Sequence, residues 1–229
     1  MTQILAMHGW AGHAGQWNNW QYQLEQHHRH MLIGERGYTN AAPTVPHWDS
    51  KPGPRVVIAH SLGLHLLPAS LLNEATALIL LGCFAAFVPK GRAGRSVLAG
   101  LKGMRAALGS EGELAMLRRF LEKTAQPLPL SSCPPSPLLH GISLEGRQRL
   151  RNDLSLLETC HNLPKGWPEK AHVLVIRGEQ DAVVQASIHK QLLDQIGLQV
   201  EMVHNDPHVG HALITSGVLS VVYKWIEHL

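Results

Sequence analysis

Apolar residues in this chain gather in short unbroken runs rather than in alternation with polar ones. Residues 4–7, 56–59, 77–81 and 173–176 are the clearest, and a His or Gly lies within two residues of the end of each. Runs of this length read as strands buried on both faces of a parallel sheet. Two weaker runs, 31–34 and 198–203, read the same way. Between them lie stretches with helical spacing: 16–26, an apolar stretch directly after residue 61, 184–196, and an amphipathic segment that ends the chain. Strands alternating with helices predict an α/β fold, with a mostly parallel sheet flanked by helices on both faces.

The alternation breaks near Phe87. Residues 96–108 and 112–124 read as helices. In the second, Leu114, Leu117 and Leu121 share a face, with Met116 and Phe120 beside it. Residues 126–137 hold five prolines and read as a loop. A third helix is predicted over 144–160, with Leu150, Leu154 and Leu157 on one stripe. Arg147 and Arg151 stand one turn apart at the edge of that stripe, and Arg149 is expected to point away. The pattern therefore divides the chain into a first part of the core (1–86), an inserted helical cap (87–168) and a second part of the core (169–229).

Composition narrows the class. The chain has 229 residues, 45% of them hydrophobic and 16% charged, as in an ordinary globular protein. No apolar run approaches the ~18 residues of a membrane span. The first strand begins almost at once, with no basic region or cleavage site before it, so a cytoplasmic location is expected. Cys83, Cys133 and Cys160 are odd in number and far apart, and are expected to be reduced. No C-x-x-C pair argues for zinc. His27, His28 and His30 lack a nearby carboxylate or thiol to complete a metal set, so they read as a solvated helix end. No metal and no cofactor are expected.

Charge is unevenly spread. Residues 85–165 hold twelve Lys/Arg against six Asp/Glu, while the rest of the chain carries a net −3. A basic insertion on a slightly acidic protein suggests an acidic partner. Nucleic acid is disfavoured because the basic residues lack interleaved aromatics and no binding motif is present.

The chemistry-bearing residues follow the strands. After the run 56–59 comes Ala59-His60-Ser61-Leu62-Gly63, close to G-x-S-x-G. A strand turning sharply into a helix lifts its Ser clear of the backbone, with free N–H groups behind it. The first run ends in His8-Gly9-Trp10 and a glycine-rich loop, a source for a second oxyanion-binding N–H. Asp181 follows the run 173–176, and a loop bearing His204, His208 and His211 follows the run 198–203. Such ends are where ligands gather in open α/β sheets. A Ser hydroxyl becomes nucleophilic when an imidazole takes its proton and a carboxylate fixes that imidazole. The chain order Ser, Asp, His favours Ser61, Asp181 and His211, with His211 at the start of the last helix. His208 and His204 rival it, as Asp206 and Asp153 rival Asp181.

Together, His8-Gly9-Trp10, the Ser61 turn, Gly178-x-x-Asp181 and Gly210-His211 resemble the α/β-hydrolase superfamily over nearly the full length. Within it, the small size, the His-Gly-Trp opening, the helical cap and its arginines are most similar to the pimeloyl-acyl-carrier-protein methyl ester esterases of biotin synthesis, including the cyanobacterial form. Ala59 in place of Gly, the short start and the Pro-rich cap loop depart from that pattern. The resemblance implies a cofactor-free carboxylesterase. Ser61 would attack the ester, His211 would relay the proton, Asp181 would orient the imidazole, and the N–H groups of Trp10 and Leu62 would hold the oxyanion. It also implies an acidic acyl-carrier protein gripped by Arg147 and Arg151, then by Arg118, Arg119 and Lys123, since Arg binds oxyanions bidentately. A general esterase or thioesterase, a carbon–carbon bond hydrolase and a ligand-binding receptor on the same fold are the rival readings.

Overall fold

The computed structural model describes residues 2–229. Six parallel strands form one sheet in the order β2-β1-β3-β4-β5-β6: β1 (Gln3–Met7), β2 (His30–Ile33), β3 (Arg55–His60), β4 (Ala77–Leu81), β5 (His172–Gly178) and β6 (Val200–Asp206). Both faces of β1, β3, β4 and β5 are covered, so these strands need no polar face, whereas the edge strand β6 is largely exposed. Ile4, Ala6, Val56 and Ile58 pack toward α1 (Asn18–Gln26) and α8 (Ser216–Ile226) with Trp17, Trp20, Leu24, Val218 and Val222. Their neighbours in sequence, Leu5, Met7, Val57 and Ala59, pack the other way. There they meet α2 (Gly63–Leu66), α3 (Ala69–Asn73) and α7 (Ala186–Ile196) through Leu64, Leu71, Leu72 and Leu192. The strand's two-residue period thus feeds two cores at once.

Some boundaries differ from expectation for local reasons. The apolar stretch after Ser61 is not one helix. Leu67 is extended (ψ 140°) because Pro68 follows it and disfavours helical backbone, so α2 stops and α3 begins afresh. The last strand is β6, shifted C-terminally to Val200–Asp206 on an exposed sheet edge. His211 lies in a loop before α8 rather than at its start.

Between β4 and β5 run α4 (Arg92–Ala107), α5 (Glu113–Ala125) and α6 (Leu144–Thr159). They form a third apolar cluster with Leu101, Leu108, Leu117, Leu150, Leu154 and Leu157, closed below by Trp10, Leu62 and Phe84 of the sheet rim. The 126–137 loop holds a short 3-10 turn at Leu130–Ser132 and runs into a second, Pro137–Leu139, at its last residue. Polar bonds fasten α6 to the core. Asp153 is 1% exposed, and accepts from Arg36 Nε (2.8 Å), Arg36 Nη2 (2.6 Å) and the Tyr38 hydroxyl (2.7 Å). Its charge is therefore matched, the condition for burying a carboxylate. Arg149 turns inward, contrary to expectation, and donates to the Gly37 carbonyl at 2.6 Å. The Trp10 indole N–H donates to the Leu150 carbonyl at 3.0 Å.

Candidate active site

β1 and β3 are paired neighbours, with Met7 opposite Ala59. Their carboxyl ends therefore leave His8-Gly9-Trp10 beside His60-Ser61-Leu62. Ser61 has φ +55°, a left-handed conformation that non-glycine residues seldom adopt. Its N–H still donates to the Leu81 carbonyl at 2.8 Å, so the strand ladder runs up to the turn and stops there. The turn is possible because the backbones touch. A Cβ on Gly63 would lie 2.4 Å from the Met7 carbonyl oxygen, and one on Gly9 would lie 2.8 Å from the Ser61 Cβ. Ala59 is fully buried inside β3, where its methyl group joins the apolar cluster below the sheet, so the Gly-to-Ala departure is absorbed by packing. Among the described residues the N–H groups of Trp10 and Leu62 donate no hydrogen bond.

β5 and β6 deliver the other two side chains. Asp181 Oδ2 lies 2.8 Å from His211 Nδ1, and both side chains are almost wholly buried. The second oxygen, Oδ1, accepts from the N–H groups of Val183 (2.7 Å) and Val184 (2.8 Å). Burial pushes the Asp181 pKa up, but the His211 imidazole and these two amides outweigh it and hold the carboxyl below its ordinary range. A carboxylate only accepts, so His211 Nδ1 carries the proton and Nε2 is left able to take another. The two loops approach because Gly178 has no side chain: a Cβ there would lie 2.1 Å from the Gly210 carbonyl oxygen.

Ser61 and His211 line the same cavity, together with Gly9, Trp10, Gly12, His60 and Phe120. Among the described residues no hydrogen bond joins the two side chains; bonds of this kind commonly tighten only once a substrate is in place. Of the rivals, Asp153 belongs to the Arg36–Tyr38 cluster and Asp206 caps the N–H of His208 at 2.9 Å. His208 is exposed and His204 sits on β6, so neither meets Ser61 in that cavity. Among the described residues no group of three His, Cys, Asp or Glu side chains is placed to hold a metal ion.

Sequence reasoning assigned no role to His60, although it stands next to Ser61. Its Nε2 donates to the His211 carbonyl at 2.9 Å and its ring lies 5.0 Å from the His211 ring. Burial, then the neighbouring His211, pushes its pKa down to about 3, so it stays neutral and holds the histidine loop. The cap arginines also differ from expectation. Arg147 makes a bidentate pair with Glu113 (2.6 and 2.8 Å), and Arg151 donates to the Leu108 carbonyl. Both tie α6 to the α4–α5 corner. Arg118, Arg119 and Lys123 on α5 are exposed and form no ion pair among the described residues. Arg119 and Lys123 line a second, larger cavity of about 760 Å³ beneath the cap, which also reaches Ser61.

No protein-family model matches the chain, and no curated relative does. Solved structures do. An esterase from Exiguobacterium antarcticum is similar with a TM-score of 0.72 at 15% identity, over 100% of this chain and 91% of its own. The chain has the α/β-hydrolase fold. A hydrolase from Pseudomonas aeruginosa is similar at TM-score 0.69 and 16% identity, covering 98% and 89% of the two chains. A meta-cleavage product hydrolase from Pseudomonas fluorescens follows at 0.65 and 12%, covering 100% and 91%. At these identities the likeness speaks for the fold, and function must be argued from the site.

Proposed function

We propose that this protein is a serine carboxylesterase. The observation that carries the reading is the left-handed Ser61 at the end of β3, opening into the cavity that His211 lines, with His211 bound through Nδ1 to a buried Asp181. Ser61 Oγ attacks the ester carbonyl as His211 Nε2 takes its proton. The N–H groups of Trp10 and Leu62 receive the developing oxyanion. His211 then protonates the departing alkoxide, Asp181 holding the imidazolium. Water, deprotonated by the same nitrogen, releases the acid and restores Ser61. No step calls for a cofactor.

The finer reading is hydrolysis of the methyl ester of pimeloyl-acyl-carrier protein to the free acid and methanol, in the cytoplasm. Support comes from the His8-Gly9-Trp10 resemblance and from the apolar cleft under the cap, whose rim carries Arg119 and Lys123, with Arg118 beside them. These three, rather than the internally bonded Arg147 and Arg151, are the contacts now proposed for an acidic carrier. The test is rescue of biotin-free growth in a strain lacking its own methyl esterase, with Ser61→Ala as control. Rescue by the wild type alone supports the reading. Failure to rescue, alongside turnover of simple methyl esters, returns the protein to a general esterase. Tight ligand binding with no turnover of any ester would favour a receptor.

A further inference from the structure

Two cavities of unequal size meet at Ser61. One is about 100 Å³ and the other about 760 Å³. Three residues line both: Ser61, Trp10 and Phe120. The Trp10 and Phe120 rings meet edge to face, with centroids 4.8 Å apart, and form a partition with Ser61 at its foot. The Trp10 indole is held by the Leu150 carbonyl, so this wall is braced from α6.

The chemistry assigns the two halves of an ester to the two sides. When the carbon–oxygen bond breaks, the departing oxygen takes its proton from His211 Nε2. The alcohol must therefore lie on the imidazole side. His211, Gly210 and His60 line the small cavity only, while the large cleft touches none of them. The acyl chain, still bonded to Ser61 Oγ after the alcohol has left, must extend on the other side.

The size of the cleft has a cause in the sequence. Ser96, Gly100, Gly103 and Ala107 fall on one stripe of α4, and all four line the cleft. A Cβ added at Gly100 or Gly103 meets nothing within 4 Å. Gly112 and Ala115 continue the pattern at and beyond the start of α5. Ser96, Gly100, Gly103, Gly112 and Ala115 are exposed, so the stripe forms the open wall of the cleft, along which a guest would lie. A cleft of about 760 Å³ falls in the range that holds a medium-sized organic molecule, roughly 300–1,000 Å³.

We infer that the Trp10–Phe120 partition sorts esters by the size of their two halves, admitting a small alcohol beside His211 and a long apolar acyl chain along the glycine stripe of α4. This rests on the serine-esterase reading above. It makes Phe120, Gly100 and Gly103 the specificity-determining residues.

The experiment measures kcat/KM by pH-stat for two series: methyl esters from acetate to dodecanoate, and octanoate esters of methanol, ethanol, butanol and benzyl alcohol. The wild type should gain with acyl length and lose about tenfold or more from methyl to benzyl, the scale of discrimination that a few methylenes produce. Phe120→Ala should raise the benzyl-to-methyl ratio by about tenfold, and Gly103→Leu should lower the dodecanoate-to-acetate ratio by a similar factor. Leu is a better helix former than Gly and meets open space, so Gly103→Leu should fold, as thermal melting will verify. The inverse preference in the wild type, or two variants that leave both ratios unmoved, overturns the inference while leaving the esterase reading intact. No turnover of any ester overturns both.

Discussion

The rim of the sheet and the cap that covers it are built on opposite rules. At the rim, positions without side chains are tightly enclosed. Backbone lies within 2.4 Å of where a Cβ would stand on Gly63 or Gly178. In the cap, Gly100 and Gly103 face empty space. The same residue type thus marks two different demands. Where strands converge, the absence of a methyl group lets loops approach closely enough to bring together the side chains proposed to react. Where helices arch over the site, the absence of side chains leaves volume for a guest. Changes at the rim should therefore affect whether chemistry happens, and changes in the cap should affect which molecule it happens to.

The sharpest way to break this contrast is Ser61→Ala. Ester turnover should fall by on the order of 10⁴-fold or more with the melting temperature nearly unchanged. Retained turnover would remove the rim from the chemistry. Asp181→Asn should lower kcat by about 10³–10⁴-fold, because Nδ1 of His211 then loses its fixed acceptor. A loss confined to KM would show that the carboxylate serves only to shape the loop.

Asp153 tests what anchors the cap. Asp153→Ala strands Arg36 and the Tyr38 hydroxyl, and should cost about 3–5 kcal/mol in urea unfolding. A cost below about 1 kcal/mol would mean that the apolar contacts of α6 suffice without it. Acid offers a milder probe. Burial lowers the pKa of His60 to about 3 and that of His189 to about 4, from an ordinary 6.5. Below 6.5 the unfolded chain binds protons that the folded chain refuses. Their contribution is therefore whole at neutral pH and drains away as pH falls from about 6.5 toward 4. Each should steepen the decline by up to about 1.4 kcal/mol per pH unit. Unfolding free energies measured from pH 7 to 4 should show that slope, shallower in His189→Gln. A flat profile would mean that both histidines charge freely in place, and an unchanged slope in His189→Gln would mean that His189 does. The smallest effect is expected at Arg147→Met. Its pair with Glu113 is part-exposed and should be worth about 1 kcal/mol or less, with little change in ester turnover.

Much of the rim was legible in the sequence because its signals are local. Ser61 stands within a five-residue motif, and Asp181 directly follows a strand whose apolar run is unmistakable. Gly178 and Gly210, which flag the approach of their two loops, are likewise visible as residues. The cap was legible only as helices. Which arginines face out could not be read, since Arg147 and Arg151 find Glu113 and Leu108 on other elements, and Arg149 finds Gly37 from before the insertion. His60 escaped notice because its partner is a backbone carbonyl 151 positions away. The elbow helix was overestimated because Pro68 acts on the residue before it, a one-residue effect that apolar periodicity does not register.

The sequence by itself determined the parallel sheet, the order in which Ser61, Asp181 and His211 follow their strands, and a basic helical insertion. Those properties depend on residue period and on chain order, which are one-dimensional. Only the tertiary structure decided that His211 rather than His208 meets Asp181, that the leading arginines bond inward, and that a Trp10–Phe120 wall separates a small cavity from a large one. Cavities and side-chain partners depend on which atoms converge from distant elements, and no local pattern in the chain encodes that distance.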